Sequence, residues 1–136
     1  MEEAKDIEKE PESLKNKMRP IHLAAKYGKL DILKYFMKEA NDIEKEPLDK
    51  NGDTPLHLAV SFGQEETVKY LMNSVSNKEP ENNSKERPIH YAAQNGKLDI
   101  IKYFMEEANG IEKEPEDKGK RRPIHYAAMY GKLDIK

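Results

Sequence analysis

The sequence predicts an all-α solenoid in which short helix pairs stack along one axis, and two observations predict it. Four histidines recur 35, 33 and 35 residues apart, each two positions after a proline and six before a glycine. After each glycine, apolar residues recur at the three- and four-residue spacing of a helix buried on one face. Helix pairs of this length cannot bury an apolar face alone, so stacked copies must supply the core.

The composition is compatible with a folded chain and excludes several classes of protein. The 136 residues suffice for one compact domain or a short stack of small units. The absence of cysteine excludes disulfide frameworks, thiolate metal sites and cysteine nucleophiles. A net charge of −2 gives no overall attraction to nucleic acid, and no apolar run reaches the length of a membrane span. We therefore expect an intracellular, cytoplasmic protein with no membrane insertion and no nucleic-acid partner.

Each unit is predicted to contain two helices and a polar connection. The first helix of the first unit is expected over residues 20–27, because proline suits an opening turn in which its missing N–H would have no partner. Gly28 is expected to end this helix in the left-handed conformation, which glycine adopts without a Cβ penalty. A second helix from Leu30 buries one apolar face, and a polar segment with the turn signal Asn51-Gly52 leads to the next unit.

The repeat divides the single domain into segments that share one register. The segments are the tail of a preceding unit (1–12), three complete units (13–47, 48–80 and 81–115) and a truncated fourth unit (116–136). Residues 19–47 and 87–115 are identical at 23 of 29 positions, so the third unit is a near copy of the first. No polar terminal cap is visible, and we expect a piece of a longer array or an array capped by something outside it.

The residues around the histidines carry a family resemblance. Thr54-Pro55-Leu56-His57-Leu58-Ala59 matches the T-P-L-H-x-A signature of ankyrin repeats, and the spacing near 33 resembles the ankyrin period. The segments 19–25, 87–93 and 122–128 are closely similar to it, so the resemblance covers almost the whole chain. It implies helix–turn–helix units with hairpin-like finger loops between them. It also implies protein–protein recognition through the finger tips and the inner helices.

The chain departs from the ankyrin pattern in three ways. Arg19, Arg87 and Arg122 replace the family threonine, whose hydroxyl caps the first helix, so three units are expected to lose a cap worth about 1 kcal/mol. The first and third units carry two extra residues before the next proline, which predicts longer or bulged fingers. The family glycine after the second helix is absent, and Asn41 and Asn109 are expected to end those helices instead.

The histidines are interpreted as structural residues that hydrogen-bond turn backbone. Equivalent side chains of stacked units lie about 8–10 Å apart, whereas two imidazole nitrogens on one zinc must approach within about 4 Å. No nucleophile pattern or phosphate-binding loop occurs. We therefore expect no enzyme activity, metal, cofactor or small-molecule substrate. The basic cluster 118–122 and the Glu-Lys-Glu-Pro motif at 8–11, 44–47 and 112–115 are interpreted as solvated surfaces.

The resemblance implies that contact positions lie at the finger tips and just before each helix-ending glycine. Tyr27, Phe62, Asn95 and Tyr130 occupy one column there, and exposed aromatic residues are enriched at binding hot spots. These side chains either pack on the neighbouring unit or face a ligand, and the sequence favours neither arrangement. The candidate partner-binding residues are Lys26, Tyr27, Lys50, Asn51, Asp53, Ser61, Phe62, Ser84, Glu86, Gln94, Asn95, Lys118, Arg121, Met129 and Tyr130.

Two functions are compatible with these sequence features. The first is a module that binds another protein, of unknown identity, through its fingers and concave inner-helix face. The second is a structural spacer or scaffold segment of a larger ankyrin-repeat protein, with no specific ligand of its own. The near copy of the first unit in the third slightly favours the spacer, because duplication extends an array before its contact residues diversify.

The spacing of the histidines predicts that the protein holds no stoichiometric zinc. Isothermal titration with zinc is expected to show no tight site, because adjacent imidazoles are too far apart to share one ion. A tight one-to-one site that disappears when His57 and His90 are replaced together would contradict this prediction.

Overall fold

The computed structural model describes residues 17–40, 43–108 and 110–130, with the side chains of Ala127 and Tyr130 left out. Within these residues the chain forms only helices and connecting loops, which confirms the predicted all-α fold. The helices are α1 (Pro20–Lys26), α2 (Leu30–Lys38), α3 (Pro55–Ser61), α4 (Glu65–Ser74), α5 (Pro88–Asn95), α6 (Leu98–Lys102, continued by one π-helical turn over Tyr103–Glu107) and α7 (Pro123–Tyr130).

The helices pack in two layers. The inner helices α1, α3, α5 and α7 lie side by side in one row, and the outer helices α2, α4 and α6 form a second row over them. The apolar core fills the space between the rows, and burying one large side chain there contributes roughly 1.5–3 kcal/mol. Its largest members are Ile21, Leu33, Leu56, Leu71, Met72, Ile89, Ile100 and Phe104.

The inner helices α1, α3 and α5 each begin at a proline and end before a glycine, as the sequence predicts. Proline occupies the first turn of α1, α3 and α5. Gly28 then adopts a φ of 67° in the left-handed region, where glycine is favoured. Its N–H donates to Ala25 O at 3.2 Å, and the next N–H, of Lys29, donates to Ala24 O at 2.8 Å. These two bonds close the helix and turn the chain into α2.

The buried histidines connect the start of each inner helix to the chain beyond the outer helix. In His90, Nδ1 accepts a hydrogen bond from Arg87 N at 2.9 Å, so Nε2 carries the ring proton. That Nε2–H donates to Pro115 O at 2.8 Å. His22 makes the same pair of bonds to Arg19 N and Pro47 O, and His57 bonds Thr54 N and Glu86 O. The structure thus confirms that these histidines bond turn backbone.

Among the described residues that precede the inner helices, a side-chain hydroxyl caps the helix only where threonine is retained. Thr54 Oγ1 accepts from His57 N at 3.3 Å at the start of α3. Arg19 and Arg87 provide no side-chain cap to α1 and α5, as expected. The Arg87 guanidinium instead binds three carboxylates of the loops beside it, those of Glu79, Glu81 and Glu112, at 2.6, 3.1 and 3.2 Å.

The extra residues of the first and third units do not lengthen the fingers, so that expectation is wrong. The finger loops, residues 48–53, 81–86 and 116–121, all contain the same tight turn. The insertions lie earlier, just after the outer helices. There the Lys113 ammonium folds back onto the last carbonyls of the outer helix, bonding Phe104 O and, at 3.0 Å, Ala108 O. Lys45 does the same to Phe36 O and Ala40 O.

The structure corrects one further interpretation and leaves another outside its range. The Glu-Lys-Glu-Pro motif at 44–47 and 112–115 is not merely a solvated surface, because its lysine bonds carbonyls at the end of the outer helix, where intrahelical donors run out. The copy of the motif at 8–11 lies outside the described residues. Glu79, in the variant motif Asn-Lys-Glu-Pro, also accepts from the backbone N of Glu112 at 3.1 Å. The predicted helix ends at Asn41 and Asn109 lie outside the described residues.

We predict that the protein loses stability on mild acidification. Burial lowers the pKa values of His22, His57 and His90 below the usual 6.5. The unfolded chain therefore binds more protons than the folded one below pH 6.5, and the free energy of unfolding falls there by up to about 1.4 kcal/mol per pH unit for each histidine. Urea denaturation at pH 7.5, 6.5 and 5.5 measures this loss.

A free energy of unfolding that stays constant between pH 7.5 and 5.5 would contradict the prediction. Ordinary carboxylates titrate mainly below this range, at about pH 4, so they do not mimic the effect. NMR titration of the imidazole signals provides an independent check, because the three buried rings are expected to remain neutral until the protein unfolds.

Candidate functional site

The finger loops form a continuous row along one edge of the stack. In each loop an Asp or Asn side chain accepts from the backbone N–H groups two and four residues later. Asp117 Oδ1, for example, accepts from Gly119 N and Arg121 N at 2.8 Å each. Neighbouring fingers are joined by backbone bonds from Asn83 N to Asn51 O at 3.0 Å and from Lys118 N to Ser84 O at 2.8 Å. The tips are therefore held in register with one another.

Every finger contains one residue in the left-handed backbone region, and it is a glycine in only one of them. Lys17, Lys85 and Lys120 have φ values of 57°, 60° and 64°, whereas the equivalent Gly52 has 81°. A Cβ atom on Gly52 would lie 2.6 Å from Asn83 Oδ1 and 2.8 Å from Asn83 N, so glycine is required there. The three lysines hold a conformation that costs an L-residue of order 1 kcal/mol.

The predicted finger-tip residues divide into exposed and bonded groups. Lys50, Asn51, Ser84 and Lys118 are exposed at the tips, whereas Glu86 and Arg121 are half-buried. Asp53 is only 4% exposed, so its side chain lies beneath the surface instead of at the predicted contact position.

The Asp53 carboxylate is held by a tyrosine of the next inner helix. The Tyr91 hydroxyl donates to Asp53 Oδ1 and Oδ2, at 2.7 and 2.9 Å, and accepts from Asn82 Nδ2 at 2.9 Å. Asn82 Nδ2 also lies 3.0 Å from Asp53 Oδ1. Burial, with the adjacent Asp53 charge, raises the pKa of Tyr91, so this hydroxyl remains a donor. The tyrosine ring also meets His57 edge-on, with centroids 5.3 Å apart.

A second tyrosine makes the equivalent connection one unit later. The Tyr126 hydroxyl donates to Glu86 Oε2 at 2.7 Å and also lies against the Asp117 carboxylate. Arg121 completes the group, with Nε 3.1 Å from Asp117 Oδ2 and its guanidinium 5.2 Å from the Tyr126 ring centroid. Sequence reasoning missed both tyrosines. The available signal was the change from leucine at 23 and 58 to tyrosine at 91 and 126.

The inner-helix column contains an exposed aromatic pair. Tyr27 is 55% exposed and Phe62 is 47% exposed, at equivalent positions of the first and second units. The Lys26 ammonium lies between them, 5.1 Å from the Tyr27 ring centroid and 4.8 Å from that of Phe62. Such cation–π contacts contribute about 0.5–1 kcal/mol at exposed sites. We refer to these three residues as the aromatic patch.

The remaining inner-helix candidates do not extend the aromatic patch. Asn95 Nδ2 lies 3.3 Å from both Ser61 O and Ser61 Oγ, so these two polar side chains are already engaged with each other. Gln94 is half-buried, and Met129 is exposed near the end of α7. The side chain of Tyr130 lies outside the described residues.

No metal-binding arrangement occurs in the described part of the chain. There, His, Asp and Glu side chains do not form a group of three or more around a possible ion. Both ring nitrogens of His22, His57 and His90 are already engaged with backbone groups. A metal at any of them would have to displace the bonds that hold the stack together.

Two layers of stacked helix pairs, with a hydrogen-bonded row of fingers along one edge, define a repeat protein of the solenoid class. A sequence model described as "Ankyrin repeats (3 copies)" matches residues 3–81 and 73–135. The chain therefore belongs to the ankyrin-repeat family. Ankyrin repeats are generally protein-interaction modules, and the family is typically non-catalytic and commonly intracellular.

Two further findings concern curated proteins and membrane-spanning helices. A search of curated proteins found no match to this chain. Among the described residues, no helix combines the length and the apolar character needed to cross a bilayer.

We predict that Lys85→Gly stabilises the protein. Glycine relieves the left-handed strain at this position, and this relief outweighs the entropy that glycine gains in the unfolded chain. The free energy of unfolding is therefore expected to rise, and to exceed that of the control variant Lys50→Gly by about 1 kcal/mol. The reciprocal change Gly52→Lys is expected to be destabilising, because its Cβ would collide with the Asn83 backbone. Both values can be measured by urea denaturation.

The control is Lys50→Gly, which replaces an exposed finger lysine outside the left-handed region. This variant is expected to be neutral or slightly destabilised, because glycine gains entropy in the unfolded chain. If Lys85→Gly destabilises the protein as much as the control does, the lysine at position 85 is not strained and the prediction is wrong.

Proposed function

We propose that this protein is a non-catalytic, protein-binding module whose partner contacts the aromatic patch and the finger tips. The observation that carries the proposal is the exposure of Tyr27 and Phe62 on the inner layer, each about half open to solvent. Large aromatic side chains that remain exposed in a folded protein are enriched at binding hot spots. Membership of a family of protein-interaction modules supports the same function.

The contact surface of this proposal is smaller than the set of residues predicted from the sequence. It retains Lys26, Tyr27 and Phe62 together with the exposed finger residues at positions 50, 51, 84 and 118. Asp53 is left out because Tyr91 and Asn82 enclose it. The bonds of Glu86 and Arg121 to their neighbours give these side chains a structural role that a partner would have to share.

The proposal includes an intracellular location, which the absence of cysteine and the usual location of the family support. It includes no cofactor and no small-molecule substrate. The four-unit division of the chain remains part of the same proposal. A spacer without a specific ligand is the alternative that the following experiment addresses.

Tyr27→Ala and Phe62→Ala are each expected to weaken partner binding by 1 kcal/mol or more, as truncation of a hot-spot residue typically does, which is about fivefold in Kd. Their effect on the free energy of unfolding should remain below about 1 kcal/mol, because both rings are half exposed. Quantitative capture of proteins from a lysate, with thermal unfolding of each variant, measures the two effects separately.

The matched control is Tyr35→Ala, which removes a ring of similar exposure from the outer helix α2. This variant should retain every captured protein. If wild type and all variants capture the same proteins equally, the spacer is the correct function. If the Tyr27 and Phe62 variants lose stability and the captured proteins are unchanged, the two rings are packing residues.

A further inference from the structure

The described finger tips present exposed lysines that form no ion pair within the described part of the chain. These are Lys17, Lys50, Lys85, Lys118 and Lys120, all of them exposed. Arginines elsewhere are engaged, for example Arg87 with three carboxylates. Exposed lysines without an ion pair also occur elsewhere on the described surface, for example Lys38, Lys78 and Lys102, but the finger lysines lie along one row whose tips are joined by backbone hydrogen bonds.

The acidic residues of the fingers are already engaged with groups of the protein. Asp49 Oδ1 accepts from Asn51 N and Asp53 N at 2.9 Å each, and Asp117 is bonded in the same way. Asp53 lies beneath Tyr91, and Glu86 accepts from the Tyr126 hydroxyl. The exposed Glu81 and Glu116 pair with Arg87 and Arg122. The finger lysines therefore remain available to a partner, whereas the finger carboxylates are occupied.

Backbone strain supports a role for these lysines outside the fold. Lys17, Lys85 and Lys120 occupy the left-handed position at which the second finger has Gly52. Within the described residues, none of these three lysines forms an ion pair that would offset the strain. Strained residues that do not stabilise the fold are concentrated at functional sites. The second finger, which has glycine at this position, presents Lys50 instead.

From these observations we infer that the finger row binds an extended acidic segment of the partner protein, with Asp or Glu at every third residue. This inference rests on the proposed function and adds the chemistry of its partner. Adjacent inner helices lie about 8–10 Å apart, which sets the approximate spacing of the fingers. Three residues of an extended polyproline II segment span about 9 Å and return the side chain to the same face, so one carboxylate can meet each finger.

The charge balance favours an acidic protein segment over a nucleic acid. The finger loops 48–53, 81–86 and 116–121 contain five basic and six acidic residues, so they present no net positive field. Duplex nucleic acid carries one charge per about 1.7 Å and depends on such a field for its affinity. Separate carboxylates gain from short contacts with individual lysines, and the charges of the exposed finger acids Glu81 and Glu116 are already paired with arginines.

The test is an NMR titration of the full chain with two synthetic peptides of identical composition. In one peptide glutamates occupy every third position between glycine and serine, and in the other the same glutamates form one block. The protein is used as wild type and as the triple variant Lys50→Gln, Lys85→Gln, Lys118→Gln. The matched control is Lys38→Gln, Lys78→Gln, Lys102→Gln, which removes the same charge from exposed residues outside the fingers.

We expect the spaced peptide to shift the finger amides and to bind more tightly than the block peptide. The finger variant should weaken this binding by about tenfold, as the loss of three exposed ion pairs implies, and the control by no more than about twofold. Equal losses in both variants, equal affinity for both peptides, or no binding would overturn the inference. Tighter binding of single-stranded DNA to the same fingers would also overturn it.

The same variants separate this inference from the proposed function. If Tyr27→Ala reduces capture of cellular proteins and the finger variant does not, the inference of an acidic partner segment is wrong. The proposed protein-binding function then still stands. If neither change alters capture, both proposals fail.

Discussion

The stack depends on a neutral imidazole in each buried inner helix. One ring nitrogen accepts from the N–H of the residue that precedes the helix, and the other donates to a carbonyl beyond the outer helix. A single side chain thereby fixes the helix start and attaches the polar segment that leads to the next finger. A protonated ring would present a second donor to a backbone N–H that requires an acceptor. The fold therefore needs burial that keeps the ring neutral.

Charged side chains bond the loops and the ends of the outer helices, which explains how a chain with 37% charged residues folds. Arg87 has no hydroxyl to cap its helix, but it joins the carboxylates of three neighbouring loop residues. Lys45 and Lys113 satisfy carbonyls at the ends of the outer helices. An exposed ion pair contributes little to stability on its own. A hydrogen bond to the end of a helix instead satisfies a carbonyl group that has no partner within the helix. Much of the charge thus serves local backbone bonding.

Within the fingers, some side chains hold the loop in shape and others remain available to a partner. Four of the six carboxylates in the loops 48–53, 81–86 and 116–121 bond backbone N–H groups or tyrosine hydroxyls, which sets the shape of each loop. Lysines point outward, and three of them lie in a backbone conformation that glycine would adopt with less strain. Beside them the aromatic patch offers two half-exposed rings with an ammonium group between them. Stability resides in the buried part of each finger, and the exposed lysines and the aromatic patch contribute little to it.

The helix pairs, the prolines and glycines at the ends of the inner helices, and the structural role of the histidines can all be read from the sequence. They recur with the repeat, so the pattern reveals them even though the second bond of each buried histidine reaches 25 or more residues along the chain. The burial of Asp53 follows only from the folded arrangement, because its partner Tyr91 belongs to the next unit and lies 38 residues further along the chain without any repeated signal. The place of the inserted residues likewise depended on Lys113 reaching back to the outer helix.

The burial of equivalent residues shows the same contrast between features that follow from local sequence and features that follow from packing. Ile32 and Ile100 occupy equivalent sites in nearly identical segments, yet they are 52% and 2% exposed. Local sequence cannot distinguish them. The difference arises because α4 of the second pair packs against α6, whereas no described helix pair precedes α2. Solvent exposure in a solenoid is determined by the neighbouring unit, and a residue's own sequence environment does not contain that information.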